Sequence, residues 1–292
     1  MAKQANDGQQ SYSAWIHTQK VIRTIVCVIL CFLSIIPFYI MIVNATRDTH
    51  AIERGLSIIP STYFGRNLSL LLEKSQGIGA PLWKCMFNSC LISVPATLLQ
   101  VYFSTFTAYG ITVYNFKLKN FASSFIMAIM MIPAQVSIIG FMQFMMTIGL
   151  YNTYLPLIIP AVAAPSTYYF MRQYMAQALS LEIVEAARID GSGEFKTFNT
   201  IVLPLMKPAM ATQAIFAFIA SWNNLFTPSM ILIDKSKNTL PMFVQTLRSE
   251  QFRADYGMIY LGLFVTVLPI FVVYFALSKY IIAGVALGGV KE

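Results

Sequence analysis

From Asn120 to Met171 the chain reads NFASSFIMAIMMIPAQVSIIGFMQFMMTIGLYNTYLPLIIPAVAAPSTYYFM, without one Asp, Glu, Lys or Arg. A helix needs roughly 20 apolar residues to cross the hydrocarbon core of a bilayer, so this stretch is more than twice the length of one span. Gly149-Leu150-Tyr151-Asn152 interrupts it with turn chemistry, and the stretch is predicted to be a helical hairpin. Working outward, four further charge-free regions run from Thr24 to Thr46, Cys85 to Asn115, Pro208 to Ile233 and Tyr256 to Ser278. The sum is an all-α polytopic membrane protein with about six transmembrane helices, at about 22–46, 84–110, 121–147, 154–175, 208–233 and 257–280. Composition agrees: 57% of the 292 residues are hydrophobic and 11% charged, against about 25% charged in soluble domains.

An even number of spans puts both termini on one side, and Lys/Arg should be richer in cytoplasmic loops. With termini inside, Lys3, Lys20, Arg23, Lys117, Lys119, Arg172, Arg188, Lys196, Lys207, Lys279 and Lys291 are cytoplasmic. Arg47, Arg54, Arg66, Lys74, Lys84, Lys235, Lys237, Arg248 and Arg253 then lie outside, the smaller share, which favours cytoplasmic termini. The net charge of +8 is read as membrane orientation, because no basic cluster interleaved with aromatics marks a nucleic-acid surface. The first apolar stretch is longer than a secretory h-region, so it is expected to be an uncleaved helix. Cys27, Cys31, Cys85 and Cys90 fall in or at the ends of spans and are expected to be free, with no metal site.

Between spans, residues 47–83 carry Pro60, Gly65, Gly77, Gly79 and Pro81 and are expected to form an irregular external loop, with a second at 234–256. Trp83, Tyr151 and Tyr154 on one side and Trp15, Tyr109 and Tyr114 on the other sit where an aromatic belt would.

All 12 acidic residues and both histidines fall outside the span cores. Ion-driven carriers usually bury an ionisable group as relay or ligand, so coupling to an ion is disfavoured, and an ion-coupled or facilitative transporter acting alone is the alternative. Gly191-Ser192-Gly193-Glu194-Phe195-Lys196-Thr197 is a near miss to a phosphate loop, with Phe195 where Gly is required and no strand ahead of it. No hydrolase motif stands at membrane depth, so no catalytic residue is assigned.

Charge and small residues concentrate in the predicted cytoplasmic loop at 176–207. Ser180-Leu181-Glu182-Ile183-Val184-Glu185-Ala186-Ala187-Arg188-Ile189-Asp190-Gly191 is predicted to be a short helix, with Ser180 capping its start, Glu182 at the positive dipole end and Gly191 at its C-terminal turn. Leu181, Val184 and Arg188 share one face; Ile183, Ala186 or Ala187, and Asp190 share the next. Adjacent alanines suit close approach of a partner backbone. A second helix is expected to start near Ser192, capped by Asp190 or Ser192, and to be closed by Pro204 and Pro208. In the fifth span Gln213, Ala217, Ala220, Asn224 and Thr227 align, with Phe216 and Asn223 on an adjoining face.

Glu185-Ala186-Ala187, three residues, Gly191 and then Ile201-Val202-Leu203-Pro204 resemble the cytoplasmic signature of the membrane subunits of type I ABC importers. Gly149-Leu150-Tyr151-Asn152-Thr153, Ser221-Trp222-Asn223-Asn224 and Gly288-Gly289-Val290-Lys291-Glu292 are similar to the carbohydrate-uptake branch and its MalG-like permeases. Ser180-Leu181 departs from the Ile-Pro that many relatives have there. The resemblance implies the type I importer permease fold in a bacterial plasma membrane. It implies ATPase coupling by Glu185, Ala186, Ala187, Asp190 and Gly191, with Glu185 pairing a basic residue of the ATPase. A tail of Gly288, Gly289 and Lys291 would contact that ATPase, and Asn223, Asn224, Trp222 and Gln213 would line the substrate path. Implied partners are a second permease in a heterodimer, two ATP-binding subunits, an extracytoplasmic solute-binding protein and a sugar, with glycerol phosphate or another non-sugar solute left open. ATP and Mg would bind the ATPase subunits, and no cofactor this chain.

Overall fold

The computed structural model describes residues 2–77, 79–133, 136–249 and 255–288. The described residues are helical, without strands: α1 (Ala2–Ala45), α2 (Thr49–Glu53), α3 (Phe64–Gly77), α4 (Leu82–Val113), α5 (Lys119–Ile129), α6 (Ile138–Thr147), α7 (Leu155–Ile158), α8 (Pro165–Ala178), α9 (Leu181–Ile189), α10 (Glu194–Thr197), α11 (Leu203–Trp222), α12 (Phe226–Ile231), α13 (Leu240–Ser249) and α14 (Tyr256–Gly288). Among the described residues four runs, Trp15–Ala45, Leu82–Val113, Glu194–Trp222 and Tyr256–Ile281, are long and apolar enough to cross a membrane. The stretches expected as third and fourth spans are instead chains of shorter helices. Pro133 follows α5, and Pro160 and Pro165 divide α7 from α8, where a missing N–H and ring clash break helical pairing.

The chain divides into two compact units, Met1–Leu71 with Arg253–Phe264, and Leu72–Phe252 with Val265–Glu292. In the first, Asn67 donates its amide to the carbonyls of Ala45 (2.9 Å) and Arg47 (3.0 Å), closing the chain over the end of α1. Arg66 bonds Asp48 at 2.8 Å and lies 3.6 Å from Asp255. The region expected to be an irregular external loop is thus partly helical: α3 buries Asn67, Leu71 and Ser75, four residues apart, and that stripe overrides its glycines.

The second unit is organised by α4, α8 and α11, whose buried side chains include Val101, Ala108, Tyr168, Met171, Met175 and Met206. Small and polar residues let these helices approach and bond: Gln100 donates to Thr167 Oγ1 at 2.8 Å, and Ser221 to Ser93 Oγ at 3.2 Å. Gly149 and Asn152 take positive φ of 74° and 58° at the break after α6. The Gly149 and Leu150 amides close on the carbonyls of Met146 and Met145, which ends α6 in a left-handed turn. Asn152 then binds the distant 231–237 segment: its Oδ1 accepts the amides of Ile233 and Asp234, each at 3.1 Å, and its carbonyl accepts Lys237 Nζ at 2.6 Å. The 234–256 region also contains a helix, α13, burying Leu240, Phe243, Val244 and Leu247. Its start is fixed on α4, where Asn88 donates to Asn238 O and Ser89 Oγ accepts the Leu240 amide.

Candidate functional site

The predicted cytoplasmic helix forms as α9, spanning Leu181–Ile189, with Ser180 in the extended N-cap conformation. Ser180 makes no side-chain capping bond, contrary to expectation, so Glu182 in the first turn is the favourable feature at that end. At the other end Gly191 sits at φ 75°, donating to Arg188 O at 3.0 Å while Ser192 donates to Ala187 O at 2.9 Å. This paired closure requires a left-handed residue at Gly191.

The two alanines of the motif do different things. Ala187 is 6% exposed and Val184 fully buried, Val184 within the cluster that holds Phe198, Val202 and Met206. Ala186 is exposed, together with Ile183, Glu185, Asp190 and above all Ile189, which is 86% exposed. Phe195, just beyond, is 66% exposed. The outward face is therefore apolar at Ile183, Ala186 and Ile189 and acidic at Glu185 and Asp190.

A charged network holds α9 to α4. Arg188 Nε donates to Glu194 Oε1 at 2.7 Å, and Glu194 Oε2 accepts the buried Tyr109 hydroxyl at 3.0 Å. The guanidinium also lies 5.5 Å over the Tyr114 ring. The bond to Glu194 pushes the Arg188 pKa above its ordinary value, and burial first, then Glu194, pushes Tyr114 up. Glu194 and Tyr109 carried no expected role in this contact. The only sequence signal was their placement near a span end and a helix start.

The second helix starts at Glu194 with Gly193, not Asp190 or Ser192, as its N-cap. Pro204 and Pro208 do not close it. α10 passes through a π turn at Phe198–Val202 straight into α11, with Pro204 in that helix's first turn and Pro208 inside it. Wider i→i+5 pairing ahead of Pro204 accommodates a segment where regular pairing is lost. Phe198 plugs this turn into α4, with ring centroids 5.7, 5.0 and 5.4 Å from those of Tyr102, Phe106 and Tyr109. Glu194–Trp222 is thus one helical strut of about 40 Å.

The far end of that strut and the turn into α12 line a cavity of about 320 Å³ with Ala217, Ala220, Ser221, Asn224 and Thr227, facing Gln100 of α4 and Phe141 of α6. Of the expected substrate-path residues, Asn224 lies here. Its Oδ1 also accepts the Thr227 amide at 3.2 Å, so the chain turns at Asn223–Asn224 instead of continuing as helix. Trp222 is not in the wall: it is 1% exposed, stacks on Phe218 at 5.4 Å and donates to Thr266 O at 2.9 Å. Asn223 and Gln213 are not among the lining residues either. Gln100, Ser221 and Thr227 supply the cavity's other polar groups, and the sequence marks Gln100 only as an amide inside an apolar span. Of the expected tail, Gly288 ends α14, and Gly289 and Lys291 lie outside the described residues.

A family model described as binding-protein-dependent transport system inner membrane component matches residues 100–286. The chain is 34% identical over 265 residues to the arabinooligosaccharides transport system permease protein AraQ of Halalkalibacterium halodurans, covering 90% of this chain and 93% of that one. It is 28% identical to the lactose transport system permease protein LacG of Rhizobium radiobacter, covering 89% and 92%. Its fold is similar to a chain of a bacterial ABC transporter involved in the import of the acidic polysaccharide alginate, with TM-score 0.75 at 19% identity, covering 89% and 95%.

Proposed function

The chain belongs to the binding-protein-dependent transport system inner membrane components, as a carbohydrate ABC importer permease, and on that premise we propose that it passes an oligosaccharide, delivered by an extracytoplasmic binding protein, through a path it forms with a second, different permease. The sugar relatives are named for arabinooligosaccharides and lactose, which supports a substrate of more than one ring. Energy comes from ATP and Mg bound on two separate ATPase subunits. Both termini face the cytoplasm, the third and fourth crossings are the broken pairs α5–α6 and α7–α8, and the tail of Gly288, Gly289 and Lys291 touches the ATPase.

One observation carries the coupling role: α9 is rigidly attached to its own chain on one side and presents exposed Ile183, Ala186 and Ile189 between Glu185 and Asp190 on the other. A free aqueous loop gains nothing from exposing Ile189, whereas a docking surface does. Glu185 pairs a basic residue of the ATPase, Ala186 permits backbone approach, and Asp190 flanks the contact. Ala187 and Gly191 act indirectly, by seating and ending the helix. When ATP closes the two ATPases, their pull on α9 passes through Val184, Phe198 and the Arg188–Glu194–Tyr109 bonds into the α10–α11 strut. The strut ends beside Ser221, with Asn224 in the turn that follows, so its tilt opens or closes the cavity wall, a rigid-body movement. Gln100, Ser221, Asn224 and Thr227 offer the amide and hydroxyl bonds that sugar hydroxyls require.

The test is purification with the cognate ATPase, followed by Glu185→Lys. Co-purification and transport-linked hydrolysis are expected with the native chain and a loss of both with the variant; transport in vesicles lacking any ATPase would reject the proposal for an ion-coupled or facilitative carrier.

A further inference from the structure

Charge leaves the chain between Arg54 and Arg66, where it reads Gly55-Leu56-Ser57-Ile58-Ile59-Pro60-Ser61-Thr62-Tyr63-Phe64-Gly65. Leu56, Ile58 and Ile59 are 84%, 72% and 73% exposed, an apolar cluster on a connection that the span pattern places outside the membrane. We propose that this loop is a membrane anchor: it folds back along the C-terminal end of α1 and seats Leu56, Ile58 and Ile59 in the hydrocarbon of the adjoining lipid leaflet.

Depth is set by Tyr39, whose hydroxyl donates to Ile58 O at 2.7 Å. Arg23 is the last charge before the apolar run of α1, and a helix rising 1.5 Å per residue covers a core of about 30 Å near residue 43. Tyr39 therefore stands about 6 Å short of the far boundary. Helical side chains lean toward the N-terminus, which takes the hydroxyl no closer to water. The Ile58 carbonyl is held at that level, and the apolar side chains beside it face lipid.

Part of the backbone on the return side of the tip is paired, which lowers the cost of approaching lipid. Ser57 Oγ accepts the Ile59 amide at 3.1 Å and donates to Ile59 O at 3.3 Å. Pro60 has no N–H. Ser61 donates its amide to Thr46 Oγ1 at 2.8 Å, and Tyr63 to Thr46 O at 3.0 Å. The approach is fixed as well. Gly55 takes φ 133°, and the Arg47 guanidinium, on a side chain only 8% exposed as a residue, donates to Asn44 Oδ1, Ala51 O and Gly55 O. The tip itself presents hydrocarbon beside a span, in Leu56, Ile58 and Ile59. Exposed Arg54 stands at its edge, where lipid phosphates are. The proposal needs α1 to cross a bilayer and is indifferent to which side is cytosol, to the sugar and to the ATPase.

Ile58→Cys and, separately, Ile59→Cys are made in the full chain with Cys27, Cys31, Cys85 and Cys90 replaced by Ser, labelled with a nitroxide and reconstituted in phosphatidylethanolamine–phosphatidylglycerol vesicles. Spin relaxation should be accelerated severalfold more by oxygen, which concentrates in lipid, than by a water-soluble nickel chelate. His50→Cys, on the aqueous α2, should show the reverse. Nickel accessibility at 58 and 59 matching that at 50 would overturn the anchor in favour of a solvated loop. Exclusion of both reagents would overturn it in favour of a protein-covered surface.

Discussion

Replacing Ile189 by Ala removes three carbons from a side chain that is 86% exposed, so the chain's own fold loses almost nothing. If that side chain is buried in an ATPase cleft, the lost burial is about 2 kcal/mol at ~0.8 kcal/mol per methylene. That corresponds to about a 30-fold weaker complex. The assay is titration of the purified ATPase onto the permease complex in nanodiscs, with thermal unfolding of the same samples. Val184→Ala is the matched control: two carbons leave a fully buried site, which should lower stability by about 1–2 kcal/mol through lost burial and the cavity left behind. The expected pattern is a binding loss without a melting shift for Ile189→Ala, and a melting shift for Val184→Ala. Unchanged ATPase affinity with Ile189→Ala would refute the assignment of the outward face as the docking surface.

Asn224→Asp keeps the acceptor for the Thr227 amide but puts charge into the cavity, so sugar uptake should fall while assembly and ATPase binding persist, measured in proteoliposomes. Gly257→Ala should cost more than about 3 kcal/mol and lower the yield of folded chain, because a Cβ there collides with the Arg47 carbonyl and an Asn67 amide already pinned by two bonds. Gly110→Ala, in open space within α4, should be neutral or stabilising by the same melting assay. The Asp48 carboxyl is held below its ordinary range by its bond to Arg66. Its stabilisation is therefore complete above the unfolded value of about 3.9 and disappears as pH falls below it, so Asp48→Asn should melt lower than the native chain at pH 7 and converge with it in acid.

Some of the site was legible because its signals are local. Gly191 is needed where a helix must end in a left-handed residue, and the apolar and acidic residues of 181–190 can be placed on helical faces by counting. Counting does not say which face meets the chain's own interior. Ala186 and Ala187 are chemically identical, and only the position of Phe198 and Met206 under α9 makes Ala187 structural and leaves Ala186 outside. The burial of Trp222 is invisible to counting for a similar reason. An indole beside two asparagines reads as a sugar platform, yet a buried Trp whose N–H finds a carbonyl is just as satisfied in a helix interface.

By itself the sequence determined that the chain is helical and lives in a membrane, since so little charge and so many long apolar runs leave water no favourable contact with it, whatever the packing. It also placed a short helix with adjacent small residues and a glycine stop between Ser180 and Gly191. Only the tertiary structure decided that α10 continues through two prolines into α11, that residues 64–77 are helical despite their glycines, and that Gln100, Ser221, Asn224 and Thr227 share one cavity. The first of these depends on side chains distant in sequence, Tyr102, Phe106 and Tyr109 around Phe198, whose mutual packing outweighs the local propensities that a linear reading weighs.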